Sequence, residues 1–359
     1  MLYGLQDVTL IPAKISEINS RSECNPLDKH GKLPLFTAPM SQIINEDNWQ
    51  TFAKYVHTII PRNIDLDTRL RLSVSTFSAL SLEEFIECFC SPQMRLYDTH
   101  YILIDVANGH MNRLIEACSL AKLMWGDQLI IMAGNVANPN TYREYAKAGI
   151  DYIRLSIGSG SQCTTANTGI FYPMASLIKA TRGIQTDVRF EIAAKNPEYK
   201  SVPKIVADGG FNSFGDIIKA LALGANYVMC GKIFAKTIEA CGEIHWGNYP
   251  AGFDVLACGP FNEWIRHQDI EYITRWGCFR EYYGMSTKRA QKEFGKEGNK
   301  TEEGIGSIIT VDYSLNTWIT KFTDYLKSAM SYTNHKNVND FIGGVEHEYL
   351  SPTTIRTFK

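Results

Sequence analysis

The sequence predicts an α/β protein built as a closed (β/α)8 barrel of the TIM type, and three observations predict it. Eight short runs of apolar and β-branched residues recur along the chain, at 35–38, 56–60, 72–75, 101–105, 129–132, 152–155, 204–207 and 227–230. Segments with apolar residues at helical spacing lie between most of them, at 46–55, 82–89, 111–124, 140–148, 174–180 and 214–223. Gly, Asn, Asp or Pro marks the joins. Strands alternating with helices pair in parallel through right-handed crossovers, and eight such units are the number that closes a barrel. An open doubly wound sheet is the rival fold. It would carry a Gly-rich fingerprint after its first strand, and none stands there.

Other segments exceed what a minimal barrel needs. Residues 1–33 are polar and irregular, with 7–12 reading as a short hairpin or lid. Residues 181–202 read as a lengthened connection. The stretch 244–280, dense in Trp, Tyr and Phe, reads as an insertion packed against the barrel or a neighbouring subunit. A Lys- and Glu-rich stretch with Gly295, Gly298 and Gly304 reads as a mobile flap, about 287–310. All of this is expected to form one domain over residues 1–359.

Composition narrows the partners. Hydrophobic residues make up 45% of the chain, ample for a buried core, and the net charge of −2 is mixed in sign. Such a balance points away from nucleic acid. Nine cysteines at irregular spacing, with no CxxC pair, read as a reduced compartment rather than a disulfide framework. No signal-peptide pattern and no apolar run of about 18 residues is found, so the expected location is cytoplasmic, without a membrane.

In such a barrel ligands meet the carboxyl ends of the strands. There fall the segments Asp105-Val106-Ala107-Asn108-Gly109-His110 and Ala133-Gly134-Asn135-Val136, then Asp208-Gly209-Gly210 and Gly231-Lys232. Between them comes Gly158-Ser159-Gly160-Ser161-Gln162-Cys163-Thr164-Thr165, a thiol in a loop of small residues with two hydroxyls directly after it. A lone cysteine in a tight turn is ordinarily packing. The glycine-rich strand ends change that reading. Exposed amides after the seventh and eighth strands form the usual phosphate grip, and an ionised Asp208 suits a sugar diol. Together they predict a nucleotide or sugar phosphate with its reactive carbon over Cys163. His110 is left open between a cofactor contact and a satisfied loop histidine.

Through Asp105–Gly109, Ala133–Val136, Gly158–Thr165, 205–210, 215–220 and Tyr283-Gly284-Met285-Ser286, the chain resembles the IMP dehydrogenase/GMP reductase family, from about residue 7 to 341. Asp-Val-Ala-Asn-Gly and Tyr-Gly-Met-Ser are spellings of its reductase branch, and the tandem regulatory (CBS) domain of most dehydrogenases is missing. The resemblance implies reduction of GMP to IMP and ammonia with NADPH or NADH, through a thioimidate on Cys163. It implies Thr165 and Glu303 as proton carriers. Ser161, Asp208, Gly209, Gly210, Gly231, Lys232, Gly284, Met285 and Ser286 are implied on the nucleotide. Asp105, Ala107, Arg62, Ser20 and Arg21 are implied on the cofactor side, and the carbonyls of Gly158, Gly160 and Cys163 around a monovalent cation, K+. A homotetramer is implied as well.

Several positions depart from the family pattern. Ser159 replaces a proline, Ala166 an arginine, Arg62 a lysine, Ser41 an aspartate, and Lys232 and Lys236 replace glycines near the phosphate grip. A deoxy- or modified purine substrate is thus left open. Two alternatives stand beside reduction of GMP: oxidation of IMP to XMP with NAD+, and a catalytically weak purine-nucleotide-binding protein on the same barrel. A flavin-dependent barrel enzyme is more distant.

Overall fold

In a computed structural model, residues 1–91, 95–160, 165–195, 202–246, 277–284, 287–293, 304–351 and 354 are described. The chain first lays down β1 (Val8–Leu10), then β2 (Leu35–Thr37), α1 (Trp49–Ala53), β3 (Ile59–Ile60), α2 (Leu66–Leu72), β4 (Phe77–Leu80) and α3 (Leu82–Phe89). It continues through β5 (His100–Asp105), α4 (Asn112–Trp125), β6 (Leu129–Val136), α5 (Thr141–Lys147), β7 (Tyr152–Leu155) and α6 (Met174–Lys195). Then come β8 (Lys204–Asp208), α7 (Phe214–Leu223), β9 (Tyr227–Cys230) and α8 (Lys232–Ala235).

Strands β2 to β9 form one eight-stranded parallel sheet in the order β2-β9-β8-β7-β6-β5-β4-β3. Its two edges meet. Phe36 bridges His57, whose amide donates to Leu35 O at 2.9 Å while its carbonyl accepts from Thr37 N at 2.9 Å. The sheet is therefore a (β/α)8 barrel, as the alternation of elements predicts. Both faces of its strands are covered, so β2, β4 and β9 are buried at every position. At the amino-terminal end, Phe36, Phe77, Tyr152 and Tyr227 plug the barrel with edge-to-face ring contacts.

Three expectations are corrected. Residues 72–75 are the end of α2 and its following turn, and the fourth strand lies further on at Phe77–Leu80. Asp65 caps α2 by accepting from Thr68 N at 2.8 Å, and the buried Ser78 looks polar in sequence because its hydroxyl donates to Arg69 O at 2.7 Å. The connection at 181–202 is largely helix: α6 runs through to Lys195. Its buried positions Leu177, Ile178, Thr181, Gln185 and Val188 keep the helical period, and Gln185 Nε2 donates to Pro203 O at 2.7 Å. Finally, 7–12 is neither hairpin nor lid. Val8–Leu10 pairs antiparallel with β13 (His347–Tyr349) near the end of the chain.

Beyond the barrel, β10 (His245–Trp246), β11 (Cys278–Tyr283) and β12 (Gly306–Thr310) form a three-stranded antiparallel sheet. The aromatic-rich insertion falls mostly at 247–276, and the middle of the predicted flap at 294–303, both outside the described residues. The flap's start forms a short helix, α9 (Lys288–Glu293), followed later by α10 (Leu315–Tyr332) and α11 (Val338–Phe341). No described helix is long and apolar enough to cross a membrane.

Candidate active site

One cleft opens at the carboxyl ends of the barrel strands, and it gathers most of the predicted segments. Ala107 follows β5, Asn135 lies in β6, Gly158, Gly160 and Thr165 follow β7, Asp208, Gly209 and Gly210 end β8, and Gly231 and Lys232 follow β9. Gly284, at the end of β11, closes one side. With solvent at its mouth the cleft encloses about 1060 Å³.

Its floor is held by an ion cluster. Arg154, from β7, donates from Nε to Asp208 Oδ2 at 2.8 Å and from Nη1 to Asp105 Oδ1 at 2.5 Å. The three side chains are only 9%, 13% and 14% exposed, so the pairing is shielded from water. Gly134 on the intervening strand makes room for it, since a Cβ there would lie 2.7 Å from the Cβ of Arg154. Burial pushes the Asp208 carboxyl up, and the Arg154 guanidinium pulls it down again without fully offsetting the burial. Burial weighs against the charge on Arg154 too, but the two carboxylates more than offset it and hold the guanidinium above its ordinary range. Arg62 Nη1 reaches the Asp105 carbonyl at 3.4 Å, which joins a second cation to the same corner.

The glycine-rich ends fit together by their lack of side chains. Gly209 and Gly210 both have positive φ, at 81° and 84°. A Cβ on Gly209 would stand 3.0 Å from Gly160, and one on Gly210 3.1 Å from the carbonyl oxygen of Ser159. The turn after β8 therefore lies directly on the loop after β7. Ser159 secures it, donating from Oγ to Asp208 O at 3.2 Å. The amides of Gly209, Gly210 and Gly231 donate to no described acceptor. All three residues line the cleft, where backbone amides suit an anion. Gly231 also clears the Tyr282 hydroxyl, which a Cβ would meet at 2.6 Å.

Some predicted residues stand elsewhere. Ser20 caps a turn at Arg21–Glu23, and Arg21 reaches Asp324 at 3.7 Å on α10; neither lines the cleft. His110 is a satisfied loop histidine. Its Nε2 accepts from Ala137 N at 3.2 Å, which leaves Nδ1 to donate to Thr141 Oγ1 at 2.9 Å. Burial holds it below the ordinary histidine range. Ser161, Cys163, Met285, Ser286 and Glu303 lie outside the described residues.

Sequence reasoning missed Arg154, and placed Asn135 on the ligand face without giving it a role. The signal for Arg154 was a charged residue inside an otherwise apolar strand, Tyr152–Leu155. Asn135 lines the cleft with a buried side-chain oxygen that has no partner among the described residues. An unmet buried acceptor of this kind is costly unless a ligand N–H reaches it. Among the described cysteines, Cys24, Cys88, Cys90, Cys118 and Cys230 are in no disulfide.

Residues 91–250 match the family model described as the IMP dehydrogenase / GMP reductase domain. The chain is 28% identical over 353 residues to a GMP reductase of Staphylococcus epidermidis, covering 94% of this chain and 93% of the relative. It is 29% identical over 357 residues to a GMP reductase of Helicobacter pylori, covering 94% and 92%. For a GMP reductase of Bacillus subtilis the figures are 28% over 354 residues, with 94% and 93% covered.

Proposed function

We propose, on the premise that this chain is a divergent member of the IMP dehydrogenase/GMP reductase family, that it is a purine-nucleotide oxidoreductase reducing GMP to IMP and ammonia at the expense of NAD(P)H. The carrying observation is that one cleft gathers these residues: Gly160 and Thr165, on either side of the Cys163 segment, line it together with Gly209, Gly210 and Gly231.

In this reading the amides of Gly209, Gly210 and Gly231, with Lys232, hold the phosphate. Asp208 accepts from the ribose hydroxyls through Oδ1, because Oδ2 is already taken by Arg154. Asp105 and Arg62 then act at the cofactor side by fixing Arg154 and the end of β5. The buried oxygen of Asn135 fits a carboxamide or purine N–H, which suits a nicotinamide cofactor next to a purine base. That cofactor, when bound, supplies the hydride that C2 of the purine receives.

The Cys163 thiolate attacks C2 of GMP. Thr165 and Glu303 pass a proton to the amine at that carbon, so that ammonia leaves and a thioimidate remains. Once C2 has been reduced, the carbon–sulfur bond breaks, IMP departs and the thiolate is restored. The carbonyls of Gly158, Gly160 and Cys163 serve a K+ ion, Ser20 and Arg21 serve a distal part of the cofactor, and the protein works as a cytoplasmic homotetramer.

The test follows absorbance of the reduced nicotinamide. NADPH, or NADH, is consumed with GMP, and Cys163→Ser abolishes turnover while GMP affinity stays within about tenfold, since the phosphate and ribose contacts lie elsewhere. Formation of NADH from IMP and NAD+ as the faster reaction, or turnover surviving in Cys163→Ser, contradicts the proposal.

A further inference from the structure

The cleft shares part of its wall with a neighbouring recess. Phe211, Asn212 and Lys232, which line it just past the glycines, also line a second recess between the start of α7, α8 and α10. Lys236 and Lys321 complete a wall of three lysines with Lys232, and no carboxylate lines the recess. Lys236 is paired with Asp312 at 2.6 Å, whereas Lys232 and Lys321 have no anionic partner among the described residues. The nearest acid on α7, Asp216, accepts from the amides of Asn212 and Ser213 at 3.1 Å each, which turns its charge toward the helix start. With solvent at its mouth the recess encloses about 1010 Å³, nearly the size of the cleft.

Lysines on a surface are ordinarily just solvated. Here, however, Lys232 lines both the cleft and the recess, on the wall the two share. A site built only for a monophosphate closes its wall at that point and rejects longer chains by clash and by unpaired charge. Here the shared wall carries a cation instead.

We propose that the recess receives the second and third phosphates of a guanine nucleotide, so that GDP and GTP enter the same cleft as GMP. The inference rests on reading that cleft as a guanine-nucleotide site. The experiment titrates the full-length protein with GMP, GDP and GTP at fixed ionic strength, by calorimetry and by the fluorescence of Trp318, which lines the recess. Competition against GMP and turnover with NADPH are measured alongside.

GDP and GTP are expected to bind at least as tightly as GMP and to displace it. Lys321→Glu, a change at an exposed position, is expected to lower the ratio of GTP to GMP affinity by about tenfold or more. The inference is overturned if GDP and GTP bind more than about tenfold more weakly than GMP. It is equally overturned if GTP binds without displacing GMP, or if Lys321→Glu affects all three alike. Turnover of GMP combined with rejection of GTP removes the recess proposal and keeps the enzymatic one. Competitive binding of GMP and GTP without oxidation of NADPH does the reverse, and binding of no nucleotide removes both.

Discussion

Arg154 carries more than any other single side chain at the site. It stands between two carboxylates in a place almost closed to water, so its charge is what allows Asp105 and Asp208 to remain side by side. Arg154→Met is therefore expected to destabilise the protein by about 3–5 kcal/mol, the usual cost of leaving buried charge unpaired. Urea denaturation measures this, and an effect under about 1 kcal/mol would show the cluster to be well hydrated. Arg154→Lys should not restore stability, because a single ammonium cannot reproduce two divergent guanidinium bonds. Gly210→Ala tests the neighbouring contact. Its φ of 84° and its 3.1 Å approach to Ser159 both oppose a side chain. About 1 kcal/mol of stability and a larger loss of GMP affinity are expected, since the strain falls on the loop proposed to hold the phosphate.

At the scale of elements, the barrel's early turns are pinned by Arg69 of α2. It donates to Ile64 O at 2.7 Å, to Ala79 O of β4 at 2.8 Å and to both oxygens of Glu84 on α3. One buried side chain thus ties a helix, a strand and the next helix. Glu84 also receives the Ser81 amide at 2.7 Å in a capping box. Burial alone would raise the Glu84 carboxyl, but Arg69 and the Ser81 amide more than offset it and hold it at about 2. A depressed carboxyl contributes stability that is full above its unfolded value near 4.3 and is lost as the pH falls through about 2. Glu84→Gln is expected to cost up to about 3 kcal/mol at neutral pH and to flatten the acid limb of the stability curve between roughly pH 4 and 2. Chemical denaturation at several pH values checks both, and an unchanged acid limb counts against the assignment.

For the whole molecule, histidine burial sets the approach to acid. His30, His100 and His110 are each held below the ordinary histidine range chiefly by desolvation. Their unfolded values lie near 6.5, so the unfolded chain binds more protons below that pH. Stability from these groups is full above about 6.5 and is lost as the pH falls below it. The melting temperature should decline between about pH 7 and 5.5, and His110→Gln should remove part of that slope; a flat profile contradicts the linkage. The chain's two ends are also joined, through Val8–Leu10 on His347–Tyr349 and the stacking of Tyr3 on Tyr349 at 3.9 Å. Loss of the last strand should therefore loosen the first.

Much of this was legible in the order of residues, and what was not has identifiable causes. Runs such as Tyr152–Leu155 and Tyr227–Cys230 announce themselves because a barrel strand is covered on both faces. Glycines at 209, 210 and 231 mark a rim because close backbone approach needs them. Phe77–Leu80 was hidden because Ser78 looks exposed until Arg69 supplies its acceptor, and the far half of α6 because its polar residues find partners on other strands. The sequence alone determined the alternation of elements and the glycine-rich ends, since both are local properties of backbone and burial. Only the tertiary structure decided that Arg154 bridges Asp105, 49 positions away, and Asp208, 54 positions away, because barrel closure brings distant strand ends together over a shared, water-poor floor.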